Sequence, residues 1–208
     1  MRTLDYVRWV GGGSGAGKTT VTRVLAERFG LQVYSSDETI KYHTARLDRA
    51  AAPLLDGFRR MTMDERWVQR DPGTMYRTFP WFHGEGLDLL IEDLRNLPEE
   101  PVVLAEGFRL LPHLVRPHLS NPRHAVWLIP TPSFRRAALL RREGAEQFWL
   151  RTTDTQQALS NLLERDRIFT DVIAAQAARN GLTTLDVDGT RSLDELVDDL
   201  TNRFELRR

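Results

Sequence analysis

Eight consecutive residues carry the most specific chemistry in the chain. They read Gly12-Gly13-Ser14-Gly15-Ala16-Gly17-Lys18-Thr19, the spacing of a glycine, four free positions, then Gly-Lys and a hydroxyl residue. This pattern holds the phosphates of a nucleoside triphosphate. Its glycines let the backbone curl until successive N–H groups point at phosphate oxygens, and a helix beginning near Lys18 adds the positive end of its dipole. Lys18 is placed to reach the β- and γ-phosphates, and the Thr19 hydroxyl to ligate Mg²⁺. Chance alone places the four fixed residues in roughly one chain in a hundred of this length. Here they also fall between a strand pattern and a helix pattern, the context the motif requires.

Further along, acids and arginines follow apolar runs. Asp37 ends a short strand pattern, at the sheet edge where open α/β folds bind ligands. A carboxylate there accepts the proton of an acceptor hydroxyl, or else caps the segment beginning near Glu38. His43, about a turn later, reads as a surface histidine or as a second group in the same cleft. Glu106 follows a four-residue apolar strand, where a carboxylate holds Mg²⁺ through water, contacts substrate, or simply ends the strand. Arg109 is placed to bind a substrate anion. On the helix opening at Pro132 and Ser133, the apolar stripe Phe134, Ala137 and Ala138 continues to Arg141, which is therefore expected to face inward, with Arg135 and Arg136 solvated. Arg142 is ambiguous, and Arg151 lies in an aperiodic stretch. On the next, long helix, Arg165 and Asp166 share the apolar stripe and read as an ion pair or as site residues, while Arg167 pairs with Glu164 and Asp171 on the surface.

The elements that must position these residues alternate. Apolar stretches at Tyr6–Val10, Leu31–Tyr34, Val102–Ala105, Ala125–Ile129 and Leu182–Val187 read as buried strands. Helical patterns separate them: one with Val21, Val24, Leu25 and Phe29 stopped by Gly30, one from Leu87 to Leu97 stopped by Pro98, one from Ser133 to near Arg142, one from about Thr155 to Asn180, and one from Ser192 to Phe204. Such alternation implies a parallel, doubly wound sheet. From Thr39 to Gly84 no clean period appears, and short helices and loops are expected. Trp67, Tyr76, Phe79, Trp81 and Phe82 concentrate there, as a small core or as a stacking surface for a base or another aromatic molecule. The same region holds Arg59, Arg60, Arg66, Arg70 and Arg77, a solvated face or partners of an anionic substrate.

Composition narrows the classes. The 208 residues suit one α/β domain, 41% hydrophobic and 28% charged, and the 29 basic and 29 acidic side chains cancel. That balance argues against a broad nucleic-acid or membrane footprint. With no cysteine, disulfides and thiolate chemistry are excluded. No apolar run approaches a spanning length and no signal-peptide pattern opens the chain, so a cytoplasmic protein is expected.

Gly11 to Thr20, Glu106-Gly107-Phe108 after the third strand, and the arginines after the fourth together resemble the small P-loop kinases. These include nucleoside monophosphate kinases, shikimate and gluconate kinases, and chloramphenicol phosphotransferase. The resemblance implies a three-layer P-loop NTPase fold over residues 1–208, with a five-stranded parallel sheet of order 2-3-1-4-5. It implies a substrate region at about 38–97 and a lid at about 142–155. It implies ATP and Mg²⁺, with Gly12 to Thr20 and the loop at Asp188 and Gly189 around the nucleotide, and Thr19 and Glu106 at the metal. Asp37, Glu106 and Arg109 are expected at the acceptor, and Lys18, Asp37, Arg141 and Arg151 in catalysis. Adenylate kinases read Asp-Gly-Phe-Pro-Arg where this chain has Glu106-Gly107-Phe108-Arg109. The expected activity is transfer of the γ-phosphoryl group to a small molecule, a hydroxyl before a phosphate, by a monomer or homodimer. A nucleoside monophosphate kinase and an NTP-binding regulatory module are the alternatives. The Asn-Lys-x-Asp base-reading motif of GTPases does not occur in the sequence.

Overall fold

A computed structural model of the chain describes residues 3–207, the side chain of residue 145 excepted. Met1, Arg2 and Arg208, included in the expected domain, lie outside the described residues. Five strands form one parallel sheet, β1 (Val7–Gly12), β2 (Gln32–Ser35), β3 (Val103–Glu106), β4 (Ala125–Pro130) and β5 (Thr183–Val187), in the order β2-β3-β1-β4-β5. The expected order and each expected strand appear, within one or two residues at the ends.

Parallel strands covered on both faces read as near-continuous apolar runs, and β3 is buried along its whole length. Alternate side chains feed two cores. Trp9, Ala105 and Trp127 pack beneath α6 (Leu87–Asn96), α7 (Pro112–Val115) and the long α9 (Thr155–Arg179). Val10, Leu104, Val126 and Leu128 pack beneath α1 (Lys18–Phe29) and α10 (Leu193–Phe204). The polar edge of Trp127 is satisfied by an Nε1–H bond to the Leu110 carbonyl at 2.6 Å. Local signals start the helices: Ser192 and Glu195 form a capping box on α10, and Thr131 caps α8 (Pro132–Leu140) with Pro132 in its first turn.

The aperiodic stretch folds as short helices, α2 (Ile40–Arg46), α3 (Pro53–Arg60), α4 (Met63–Trp67) and α5 (Pro72–Arg77), with a 3₁₀ turn at Pro80–Phe82. Its aromatic residues are divided among several clusters. Trp67 and Met75 pack with Leu139, Trp149 and Leu162, Trp81 packs with Leu55, and Phe82 stacks on Phe169 with centroids 3.7 Å apart. The region thus sits on α9 above the carboxyl edge of the sheet. Among the described residues, no helix is long and apolar enough to cross a membrane.

Candidate active site

The register brings the strand ends together: Glu106 of β3 is the partner of Val10 in β1 on one side and of Ser35 in β2 on the other. The loops that follow therefore leave the sheet at one place, and they carry the residues singled out by type and spacing.

The first loop, from Gly12 to Gly17, passes directly into α1. Gly15 has φ 77°, and a Cβ there would lie 3.2 Å from the Ala138 methyl and 3.3 Å from Nη1 of Arg135, so only glycine fits both the conformation and the close approach of α8. No side chain caps α1, which leaves its first N–H groups to phosphate oxygens. Lys18 is buried, and its ammonium donates to the Gly13 carbonyl at 2.9 Å and to that of Gly12 at 3.4 Å. Burial pulls its pKa below the usual lysine value, against the opposing pull of Asp37 and Glu106. Ser14 accepts a hydrogen bond from Nη2 of Arg142 at 3.3 Å, while Thr20 is exposed at the outer side of α1.

Glu106 is 1% exposed, and the Thr19 hydroxyl donates to its Oε2 at 3.2 Å. Two adjacent hard oxygen donors suit Mg²⁺, which takes few protein ligands and completes its shell with phosphate and water. Among the described residues no cluster of three acidic or histidine side chains offers an all-protein metal cage.

Asp37 follows β2 by two residues. Its carboxyl group accepts from the Ser36 hydroxyl at 3.1 Å and from the Phe108 backbone N–H. Burial pushes its pKa up, with Lys18 pulling the other way. The capping alternative fails here, because α2 begins at Ile40 with Thr39 at its cap position. Gly107 makes the approach of Asp37 possible. It has φ 141°, and a Cβ there would stand 1.9 Å from the Ser36 hydroxyl and 2.6 Å from Asp37 Oδ1.

Several expectations need correction. Arg109 does not offer its fork to a substrate: it is 3% exposed, and it donates to Ser36 O, to His43 Nδ1 and to Gly86 O at 3.0–3.2 Å, over the face of Trp81. His43 is buried rather than on the surface. Since Nδ1 accepts from Arg109, its Nε2–H donates to Asp93 Oδ2 at 2.8 Å, and burial lowers its pKa. Tyr34 donates to the same Asp93 oxygen at 2.7 Å. This chain of bonds fixes the backbone that carries Asp37. Arg66 and Arg70 likewise spend donors on the carbonyls of Phe58, Arg59, Glu65 and Arg66.

On α8 the inward face lies one residue away from the expected stripe. Arg141 is exposed, its Nε donating to Ala137 O within its own helix. Arg135, expected in solvent, is buried and ion-paired through Nε and Nη2 with Oδ2 of Asp166. The other oxygen of Asp166 takes Nε and Nη2 of Arg165 at 3.0 and 2.5 Å. One carboxylate thus holds two guanidinium groups, and the Nη1 atoms of both are buried without a protein partner. Arg135 Nη1 is the one beside Gly15 of the phosphate loop. Arg151 is exposed in the turn Phe148–Arg151. Arg167 makes the expected surface pairs with Glu164 and Asp171. Asp188 accepts from Thr190 N and Oγ1, so its carboxylate shapes the turn, and Gly189 abuts the ring of Phe134.

Beside the phosphate loop lies a cavity of about 270 Å³, which reaches Ser14, Arg135, Arg142, Arg165 and Asp166 at its polar side and is otherwise aromatic except for Leu162. The aromatic residues of the 58–82 stretch therefore serve both as core and as cavity wall. Sequence reasoning missed the cavity and Arg135. The signal for Arg135 was its spacing to Leu139, one turn apart on the same face.

No protein-family model matches the chain, and no curated protein does. Solved structures do. The chain is similar to an uncharacterised protein from Eubacterium ventriosum ATCC 27560 (14% identity, 97% of this chain and 98% of that one, TM-score 0.50). It is also similar to shikimate kinase from Bacteroides thetaiotaomicron (14% identity, 96% and 98%, TM-score 0.54). A third is deoxyadenosine kinase from M. mycoides with bound dATP (10% identity, 96% and 99%, TM-score 0.52). At such identity the likeness is one of fold, and the fold is that of the P-loop kinases.

Proposed function

We propose that the chain is an ATP- and Mg²⁺-dependent kinase, a single domain over residues 1–208, that transfers the γ-phosphoryl group of ATP to a hydroxyl of a small molecule. The observation that carries this reading is the position of Asp37: a partly buried carboxylate, held by Ser36 and Phe108, within the field of Lys18 beside the phosphate loop. A phosphate acceptor needs no base, whereas an alcohol gains from one.

In this reading the backbone from Gly12 to Thr19 and the Lys18 ammonium hold the triphosphate, Thr20 belongs to the same phosphate-binding segment, and the turn at Asp188 and Gly189 lies toward the base. Thr19 and Glu106 would hold Mg²⁺, which when bound would supply positive charge against the negative charge of the triphosphate. The acceptor oxygen attacks the γ-phosphorus as its proton passes to the Asp37 carboxylate. The new P–O bond forms, the bond from the γ-phosphorus to the β–γ bridging oxygen breaks, and ADP leaves with that electron pair. Arg135 Nη1 and Arg142, aimed at Gly15 and Ser14, meet the charge on the equatorial oxygens, the task expected of Arg141 and Arg151 from sequence.

Two substitutions test the assignment. Lys18→Ala is expected to abolish ATP-dependent transfer with an unchanged circular dichroism spectrum. Asp37→Asn is expected to lower kcat by roughly two to four powers of ten while ATP still binds. Full activity in Asp37→Asn would remove the carboxylate from the chemistry.

A further inference from the structure

Resting on the kinase reading, we propose that the acceptor is a flat, largely apolar aromatic alcohol that carries one carboxylate or carbonyl oxygen. The cavity at the phosphate loop supplies the shape. Its volume of about 270 Å³ lies just below the usual range for ligand pockets, roughly 300–1,000 Å³, which suits one or two rings. Phe58, Trp67 and Phe79 wall it, so the occupant offers ring faces and edges to ring faces and edges. Phe108 also lines it, and the Phe108 N–H holds the Asp37 carboxylate. The hydroxyl to be phosphorylated therefore belongs at that end, between Asp37 and Ser14 of the loop.

The polar groups of the wall say what else the acceptor carries. Both oxygens of Asp166 are taken by arginines, Arg142 is engaged with Ser14 and Glu146, and Nη1 of Arg135 faces Gly15. Arg165 differs. It is 6% exposed, its Nε–Nη2 edge faces Asp166, and its guanidinium carbon stands 4.7 Å from the centroid of Phe79 and 5.2 Å from that of Trp67. Its Nη1 is buried and has no protein partner, so a donor with charge waits among the rings for one oxygen. A polyol would lose water from many hydroxyls against the aromatic wall and regain few bonds. A nucleoside monophosphate would bring two charges to a wall where Arg165 Nη1 is the unpartnered donor set among the rings, since the unpartnered Nη1 of Arg135 faces the phosphate loop and Arg66 and Arg70 brace backbone carbonyls.

The test uses the full chain with Mg²⁺ and a non-hydrolysable ATP analogue for binding, and with ATP for transfer. Hydroxymethylbenzoate, thymidine, benzyl alcohol, gluconate and AMP are titrated while tryptophan emission is read, because Trp67 and Trp81 line the cavity. Hydroxymethylbenzoate, a ring alcohol with one carboxylate, is expected to quench emission and to be phosphorylated. Benzyl alcohol, without that oxygen, should bind at least tenfold more weakly. Arg165→Met should erase this difference between hydroxymethylbenzoate and benzyl alcohol. Phe58→Trp, which fills the cavity from a half-buried position, should raise the acceptor KM at least tenfold with ATP binding retained, and it serves where Arg165→Met fails to fold. Preference for thymidine, gluconate or AMP, transfer indifferent to Phe58→Trp, or no quenching by hydroxymethylbenzoate overturns the acceptor class and leaves the kinase assignment standing. Failure of the wild-type chain to bind the ATP analogue overturns the kinase assignment itself.

Discussion

Asp37 is asked to be a base in a place that disfavours its charge. Burial raises its pKa and the Lys18 ammonium only partly offsets this. As a base it works ionised, so kcat/KM for the acceptor rises with pH on its acid limb, with an inflection above the ordinary aspartate value of about 3.9. The sign for stability is opposite. A carboxyl group whose folded pKa is raised stabilises the fold while protonated, and that contribution is lost as pH rises through the folded value. At neutral pH the ionised Asp37 is then a cost to the ligand-free fold. Asp37→Asn should leave Tm equal to wild type or higher at pH 7 while activity falls, a comparison read by calorimetry beside the transfer assay. A clearly lower Tm would instead make the carboxylate a structural anchor of the Gly107–Phe108 turn. The places of Asp37 and Glu106 at the sheet edge were legible in the sequence because the short apolar strands mark where the chain emerges, and those of Lys18 and Thr19 because the spacing of the glycines marks the loop. His43 and Arg109 were not, because their roles depend on Asp93 and Gly86, brought to them only by the packing of α6 and the loop before it.

At the scale of elements the same contrast separates α8 from α9. On α9 the apolar residues Leu162, Phe169 and Ile173 define a face on which Arg165 and Asp166 must also lie, and they do. On α8 the alanines are neutral and Leu139 and Leu140 adjoin, so the period fits two faces a residue apart. Packing chooses the face with Arg135 and Leu139 because Asp166 waits there for Arg135, and leaves Leu140 48% exposed. Arg135→Ala should therefore cost about three powers of ten in kcat, the lower end for an arginine that meets transferring charge, while Arg141→Ala leaves kcat within about twofold. Steady-state rates of the two variants, with melting curves to confirm folding, decide between the faces; a collapse of kcat in Arg141→Ala would restore the stripe read from sequence. The strands and long helices were legible because one period dominates each. The 39–84 stretch was not, since its aromatic residues are shared between separate clusters and a cavity wall, and no single face repeats.

Across the whole molecule the formal charges cancel, yet Lys18, Arg135, Arg142 and Arg165 gather around the phosphate loop with Asp37, Glu106 and Asp166 among them. Buried like charges hold together only with a counter-charge; four cations stand against three acids here, and the triphosphate supplies the rest. The folded chain is therefore expected to gain stability from the nucleotide well beyond the loop itself, because α8, α9 and the segment after β2 all bring charged side chains up to the loop. Ligand at a hundredfold excess over its Kd adds about 2.7 kcal/mol, and for a chain of this size each kcal/mol moves Tm by roughly 2–4 °C. A Mg²⁺-dependent rise of several degrees with a non-hydrolysable ATP analogue is the expected result in a thermal melt. Lys18→Ala should remove most of that rise, since its ammonium is the cation that lies within the loop. A rise that survives Lys18→Ala undiminished would place the nucleotide elsewhere, against the convergence of strand ends from which the site was built.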